Sequence, residues 1–173
     1  ALSSLNGSNG FRLDGAARFD FSGRSVASAG DINGDGYLDI LIGSGWMGFS
    51  QFSGKGAGGV QVIFGGVALP EEIDLFTHSH VNITSFKDFG LSRVTSAALN
   101  GDGVSDLIVS APLGFFDLKG GVFVFYGDTL MRTGDYSLLD NDLMFRGPYP
   151  EAEIGVKGLP DIDGDGIDDL MIY

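Results

Sequence analysis

Along the chain, short apolar runs alternate with glycine- and aspartate-rich breaks. The runs at 37–45 (YLDILIGSG), 104–112 (VSDLIVSAP) and 167–173 (IDDLMIY) have the length and residue types of extended strands. Each follows an acidic break, at 31–39 (DINGDGYLD), 98–106 (ALNGDGVSD) and 161–169 (DIDGDGIDD). Ahead of each break lies a glycine with a small or apolar run, at 22–30, 89–97 and 154–160. A short acidic loop between two extended runs predicts a β-hairpin.

The hairpin recurs. Asp35, Asp102 and Asp165 occupy equivalent places, at spacings of 67 and 63 residues, which is the mark of an internal repeat. Two bulky runs bracketed by glycines, 58–66 (GGVQVIFGG) and 120–128 (GGVFVFYGD), add a third strand to the first two units, as buried strands would. A fourth, short candidate precedes each unit, at 10–15, 80–86 and 142–147. With the strands of a unit named A to D, the chain reads D, ABCD, ABCD, AB. Four-stranded antiparallel units at this period predict an all-β fold of β-propeller blades, two complete and a partial third, with an N-terminal outer strand. The expected boundaries are 1–18 for the outer strand of a preceding blade, 19–87 for blade one, 88–150 for blade two and 151–173 for the first hairpin of blade three.

Composition sharpens this picture. Of 173 residues 29 are glycine and only 19% are charged, which favours strands and tight turns over helices. With 23 acids against 10 bases the net charge is −13, so phosphate backbones and anionic membranes would be repelled and cations attracted. There is no cysteine, hence neither a disulfide framework nor a thiolate metal site. No apolar run approaches the roughly 20 residues that span a bilayer, and Ala1 opens no signal-peptide pattern, so the sequence reads as a mature or excised piece.

The repeated residues resemble the FG-GAP repeats of integrin α-subunit N-terminal propellers and of bacterial extracellular proteins. The FG pair stands at Phe89-Gly90, with SG at 22–23 and IG at 154–155; GAP appears as SAP at 110–112 and GSG at 43–45. The stretch GRSVASAGDINGDGYLDILIG is especially like the bacterial form. The resemblance implies an extracellular or cell-surface propeller, usually of seven blades, with calcium in the A to B hairpins and a partner, an extracellular protein or a glycan, on another face. Two and a half blades leave apolar flanks and strand edges uncovered. Such a piece belongs to a longer array of blades or is completed by identical copies in a ring or filament.

The loops carry suitable chemistry. Calcium takes six to eight oxygen ligands from carboxylates, amides and carbonyls. Loop one offers the side chains of Asp31, Asn33, Asp35 and Asp39 with the Tyr37 carbonyl, and Gly34 and Gly36 let the backbone curl. An EF-hand would need a bidentate acid at the twelfth position, where Ile42 stands inside a strand. Loop three is more acidic, with Asp161, Asp163, Asp165, Asp169, the Ile167 carbonyl and Asp168 to spare. Loop two has Ala98 in the first acidic place, leaving Asn100, Asp102, Asp106 and the Val104 carbonyl as a weaker set. The expectation is two calcium sites and a weak third; a glycine–aspartate turn held by side-chain hydrogen bonds stays open as the alternative in all three.

Other features point away from catalysis. His78 and His80 lack a third ligand nearby and read as a turn; no serine sits in a nucleophile elbow. The module is therefore expected to be non-enzymatic, with a structural, adhesion or assembly role, the alternative being an accessory propeller segment of a secreted hydrolase or phospholipase. Trp46, Met47, Phe49 and Phe52 in one B to C loop, and Phe115 and Phe116 in the next, are candidates for a partner surface or for packing on neighbouring blades. Asn6 and Asn82 head N-x-S/T acceptors for glycans.

Overall fold

The computed structural model describes residues 4–15, 20–47, 57–78, 80–84, 93–111, 119–127, 134–150 and 154–173. Apart from a four-residue helical turn, α1 (Leu75–His78), and a 3-10 turn at 138–140, its regular elements are strands. The first sheet runs in sequence order through β2 (Ser22–Gly30), β3 (Asp39–Met47), β4 (Ala57–Ile63) and β6 (Val81–Thr84), each antiparallel to the last. The second repeats the arrangement with β7 (Arg93–Ala97), β8 (Asp106–Ala111), β9 (Lys119–Phe125) and β11 (Leu143–Pro150). A third begins with the hairpin of β12 (Val156–Leu159) and β13 (Asp169–Ile172). These are two four-stranded propeller blades and the inner hairpin of another.

Both faces of a blade are covered, which is why its strands read as continuous apolar runs. Side chains alternate between the faces. Leu41 of β3 joins Val60, Val62 and Ile83 against Leu107, Val109, Phe123 and Phe125 of the next sheet. Its neighbour Ile42 turns the other way, onto Ile63, Ile73 and Leu75. In β8, Ile108 faces onward with Val122 and Val124 to meet Ile154, Val156 and the half-buried Leu170 of the third hairpin. Each fully buried aliphatic side chain contributes about 1.5–3 kcal/mol, so the inter-blade seams carry the core.

Two further strands escaped the reading of the sequence. β5 (Glu72–Asp74) pairs in parallel with β1 (Arg12–Asp14), and β10 (Gly134–Ser137) pairs in parallel with β6. β5 lies between β4 and β6, and β10 between β9 and β11, so the connection from C to D strand lays a parallel stitch on the D strand of the unit before. The second stitch runs into the 3-10 turn, whose capping box joins Ser137 and Asp140 and buries Leu138 in the seam.

Candidate metal centre

The three acidic loops fold alike. Gly34 and Gly36, Gly101 and Gly103, and Gly164 and Gly166 all have φ between 71° and 91°, a region in which a Cβ is strained. The curl lets alternate side chains accept the N–H two residues ahead. Asn33 Oδ1 accepts from Asp35 at 3.0 Å and Asp35 Oδ1 from Tyr37 at 2.9 Å. Asn100 and Asp102 do the same for Asp102 and Val104, and Asp163 and Asp165 for Asp165 and Ile167. Thus Tyr37, Val104 and Ile167, expected to present carbonyl ligands, each have their own N–H held by an aspartate.

The leading acids close the loops. Asp31 accepts from the N–H groups of Asp35 and Gly36 at 2.9 and 2.8 Å, and Asp161 from those of Gly164 and Gly166 at 2.6 and 2.9 Å. Those N–H bonds, Gly166 first and Gly164 next, hold the Asp161 carboxyl below its ordinary value. Each carboxylate oxygen has two lone pairs, so accepting one N–H leaves capacity for a cation.

The last acid of each loop has a second job. Asp39 and Asp106 are buried. Their Oδ2 atoms accept from Ile32 and Leu99 inside the loop, at 2.8 and 2.6 Å, and their Oδ1 atoms accept from Gly65 and Gly127, just beyond β4 and β9, at 2.7 and 3.0 Å. One carboxylate therefore ties the hairpin to the end of the third strand. A Cβ on Gly65 would run into the Leu38 carbonyl oxygen, and one on Gly127 into that of Ser105. Burial pushes the Asp39 carboxyl up, against the pull of the Gly65 and Ile32 bonds, and Asp35 and Asp31 add a smaller upward push. Asp169 accepts from Ile162 at 2.7 Å in the same manner.

The loops differ in how their charges are balanced. In loops one and two, Asn33 and Asn100 donate a side-chain N–H to Asp35 and Asp102 at 2.9 and 2.8 Å. Loop three has Asp163 in that place and no amide to donate. Asp161, Asp163 and Asp169 each bring a carboxylate oxygen within 4.8 Å of the others. Ligands about 2.3–2.6 Å from a calcium ion lie no farther apart than about 5 Å, so this trio fits the ion. In loop two Ala98 offers no carboxylate; instead Asp168 of loop three reaches it, donating its N–H to the Ala98 carbonyl and accepting the Ala98 N–H.

The sequence profile of the FG-GAP repeat matches residues 22–63, the span of β2, the first acidic loop, β3 and β4. Residues 22–63 are an FG-GAP repeat. Over most of its length the chain is similar to integrin alpha subunits. It is 28% identical to integrin alpha-PS2 of Drosophila melanogaster over 172 residues, which is 96% of this chain and 12% of that protein. Against integrin alpha-V of Gallus gallus it is 29% identical over 171 residues, covering 96% and 16%. It is also 32% identical over 156 residues to phosphatidylinositol-glycan-specific phospholipase D of Rattus norvegicus, covering 85% and 18%. The chain spans less than a fifth of the length of each of these relatives.

The Phe89-Gly90 pair and Phe49, Phe52, Phe115 and Phe116 lie outside the described residues. Trp46 and Met47 close β3, and nothing of their side chains is described. His80 stacks on Phe64 at 4.8 Å, and its Nδ1 accepts the Phe64 N–H at 3.0 Å, so it packs rather than standing as a solvated turn. Asn6 is exposed, its Oδ1 taken by Ser8 and Asn9. Asn82 faces β10, and its Nδ2, the atom a glycan would occupy, donates to Asp135 at 3.1 Å. No helix of the described residues is long and apolar enough to cross a membrane.

Sequence reasoning missed Gly65, Gly127 and the bridging role of Asp168. The glycines had a signal, standing directly after each bulky third-strand run. Asp168 had none, because its partner belongs to another loop.

Proposed function

We propose that the chain is a calcium-stabilised section of an extracellular FG-GAP propeller, with a structural, adhesion or assembly role and no catalysis of its own. The observation that carries this reading is the convergence of Asp161, Asp163 and Asp169 in a loop without a balancing amide. Asp161, Asp163, Asp165, Asp169 and the Ile167 carbonyl would hold one ion, and Asp31, Asn33, Asp35, Asp39 and the Tyr37 carbonyl another. Asn100, Asp102, Asp106 and the Val104 carbonyl form the weak set. Bound calcium supplies positive charge that offsets carboxylate repulsion, and its binding free energy adds to folding free energy. Isothermal titration with calcium tests the count: two sites with a weaker third support the reading, and the absence of any saturable heat sinks it.

The flanks belong to the same reading. Phe21 and Val26 are 54% and 64% exposed on one side, and Met171 and Ile172 are 42% and 41% exposed on the other. In blade two Val94, paired with Val109 as Val26 is with Ile42, is 6% exposed in the seam. The exposed flanks are suited to further blades of the same array or to a second copy, in a ring or filament. Sedimentation across a concentration series separates the two, since self-completion requires association. Similarity to the rat phospholipase favours a second reading, an accessory propeller segment in a secreted hydrolase. A catalytic domain on the same polypeptide would decide for it.

A further inference from the structure

The first strands of the three units, β2, β7 and β12, stand side by side around a cleft of about 840 Å³, within the size range of ligand sites. Arg24, Arg93 and Lys157 line it, one from each unit, and all three are exposed. The chain carries 23 acids against 10 bases, yet among the described residues no acidic side chain lines this cleft. The arrangement separates charge along the strands, with carboxylates at the hairpin loops and cations in the cleft.

The lining is built to donate. Arg93 Nη1 bonds the Tyr173 hydroxyl at 2.5 Å, and its guanidinium lies 5.5 Å from the centre of that ring, which fixes the side chain while leaving other N–H groups. Ser25 Oγ accepts the Val94 N–H and Thr95 Oγ1 the Gly158 N–H, so each hydroxyl keeps its proton to donate. No acid pairs with Arg24 or Lys157 among the described residues. Between these polar groups lie the exposed Val26 and the buried Val94, Ile154 and Val156, which are already packed in the seams.

We propose that this cleft docks an extended acidic segment of another protein, its carboxylates spaced to meet one cation from each unit. Three cations on successive strands match spaced carboxylates better than a single compact anion. A densely charged polyanion meets the same three cations but also the repulsion of a chain at −13.

The test is fluorescence anisotropy of a labelled peptide alternating Glu and Ser, with calcium present throughout. The expected result is saturable binding that weakens with added salt, and no binding of the Gln-for-Glu peptide. Arg24→Gln and Lys157→Gln, both on exposed side chains, should each weaken binding by about three- to fivefold. Peptide-induced amide shifts should centre on Ser25, Thr95 and Gly155. Absence of saturable binding, equal binding of the Gln peptide, or undiminished binding by the folded double variant would overturn the proposal. So would shifts centred on the acidic loops, or tighter binding of a heparin-derived oligosaccharide than of the peptide.

Discussion

Asp168 and Ala98 form a two-bond ring across the seam between the second and third units: the Asp168 N–H donates to the Ala98 carbonyl at 3.1 Å, and Asp168 Oδ2 accepts the Ala98 N–H at 3.0 Å. Loop two lacks its own leading carboxylate, and a carboxylate from the next loop grips the backbone at the vacant position. The corresponding residue of loop two, Ser105, lies against Gly30 at the entrance to loop one, so close that a Cβ on Gly30 would strike its hydroxyl. The residue before the last acid of a loop thus faces backward onto the preceding loop.

Replacing Asp168 by Ala should cost about 1 kcal/mol of stability, the net worth of such a hydrogen bond, whereas Asp168→Asn, which keeps an acceptor, should cost less. Urea denaturation of both variants measures this. Equal stability of Asp168→Ala and wild type would show that the bridge contributes nothing.

Asp106 carries a larger burden, since both its oxygens accept backbone N–H groups and the residue is fully buried. Asp106→Ala leaves the Leu99 and Gly127 N–H groups without their acceptor. A loss of about 2–6 kcal/mol is expected in the same denaturation assay, from about 1–3 kcal/mol for each of the two donors left unsatisfied. The cost should persist with calcium removed, because these bonds are made by protein alone.

Gly65 and Gly66 are adjacent yet should respond oppositely to alanine. A Cβ on Gly65 meets the Leu38 carbonyl oxygen, while one on Gly66 meets nothing within 4 Å. Gly65→Ala should destabilise by about 1–3 kcal/mol, as overpacking does. Gly66→Ala should be neutral or stabilise by up to about 1 kcal/mol through the unfolded chain. Melting temperatures of the two variants make the comparison.

The acids should titrate apart. Asp39 is raised above the ordinary 3.8 by burial first; its contribution favours the fold most below 3.8 and fades as pH rises through its folded value. Asp161 is lowered from 3.8, chiefly by the Gly166 and Gly164 N–H bonds; it contributes stability above 3.8 that is lost as pH falls through its folded value. Carboxyl-carbon NMR in calcium-free buffer should place the Asp39 midpoint above 3.8 and the Asp161 midpoint below it. The reverse order would contradict the burial assigned to Asp39 and the hydrogen bonds assigned to Asp161.

The hairpins and third strands were legible because each carries a period the eye can follow: apolar runs for β3, β8 and β4, and paired glycines marking the loops between. Gly34 and Gly36 take the positive φ that their spacing implied. The stitches β5 and β10 were not legible, because three or four mostly polar residues show no periodicity and parallel pairing is set by a distant strand. The acidic loops announced candidate ligands but not the division of labour among them. Nothing local in the sequence distinguishes Asp39, buried under Gly65, from Asp35 at the loop's tip, since the distinction comes from the end of β4 folding back 26 residues later.

The central claim is that calcium in the hairpin loops stabilises the blades. A melting curve of the wild-type chain in calcium and in chelator tests it most directly, with Asp161→Asn run alongside. The account predicts a melting temperature several degrees higher with calcium, from binding linkage, and a smaller difference in Asp161→Asn. Coincident wild-type curves with and without calcium would contradict it.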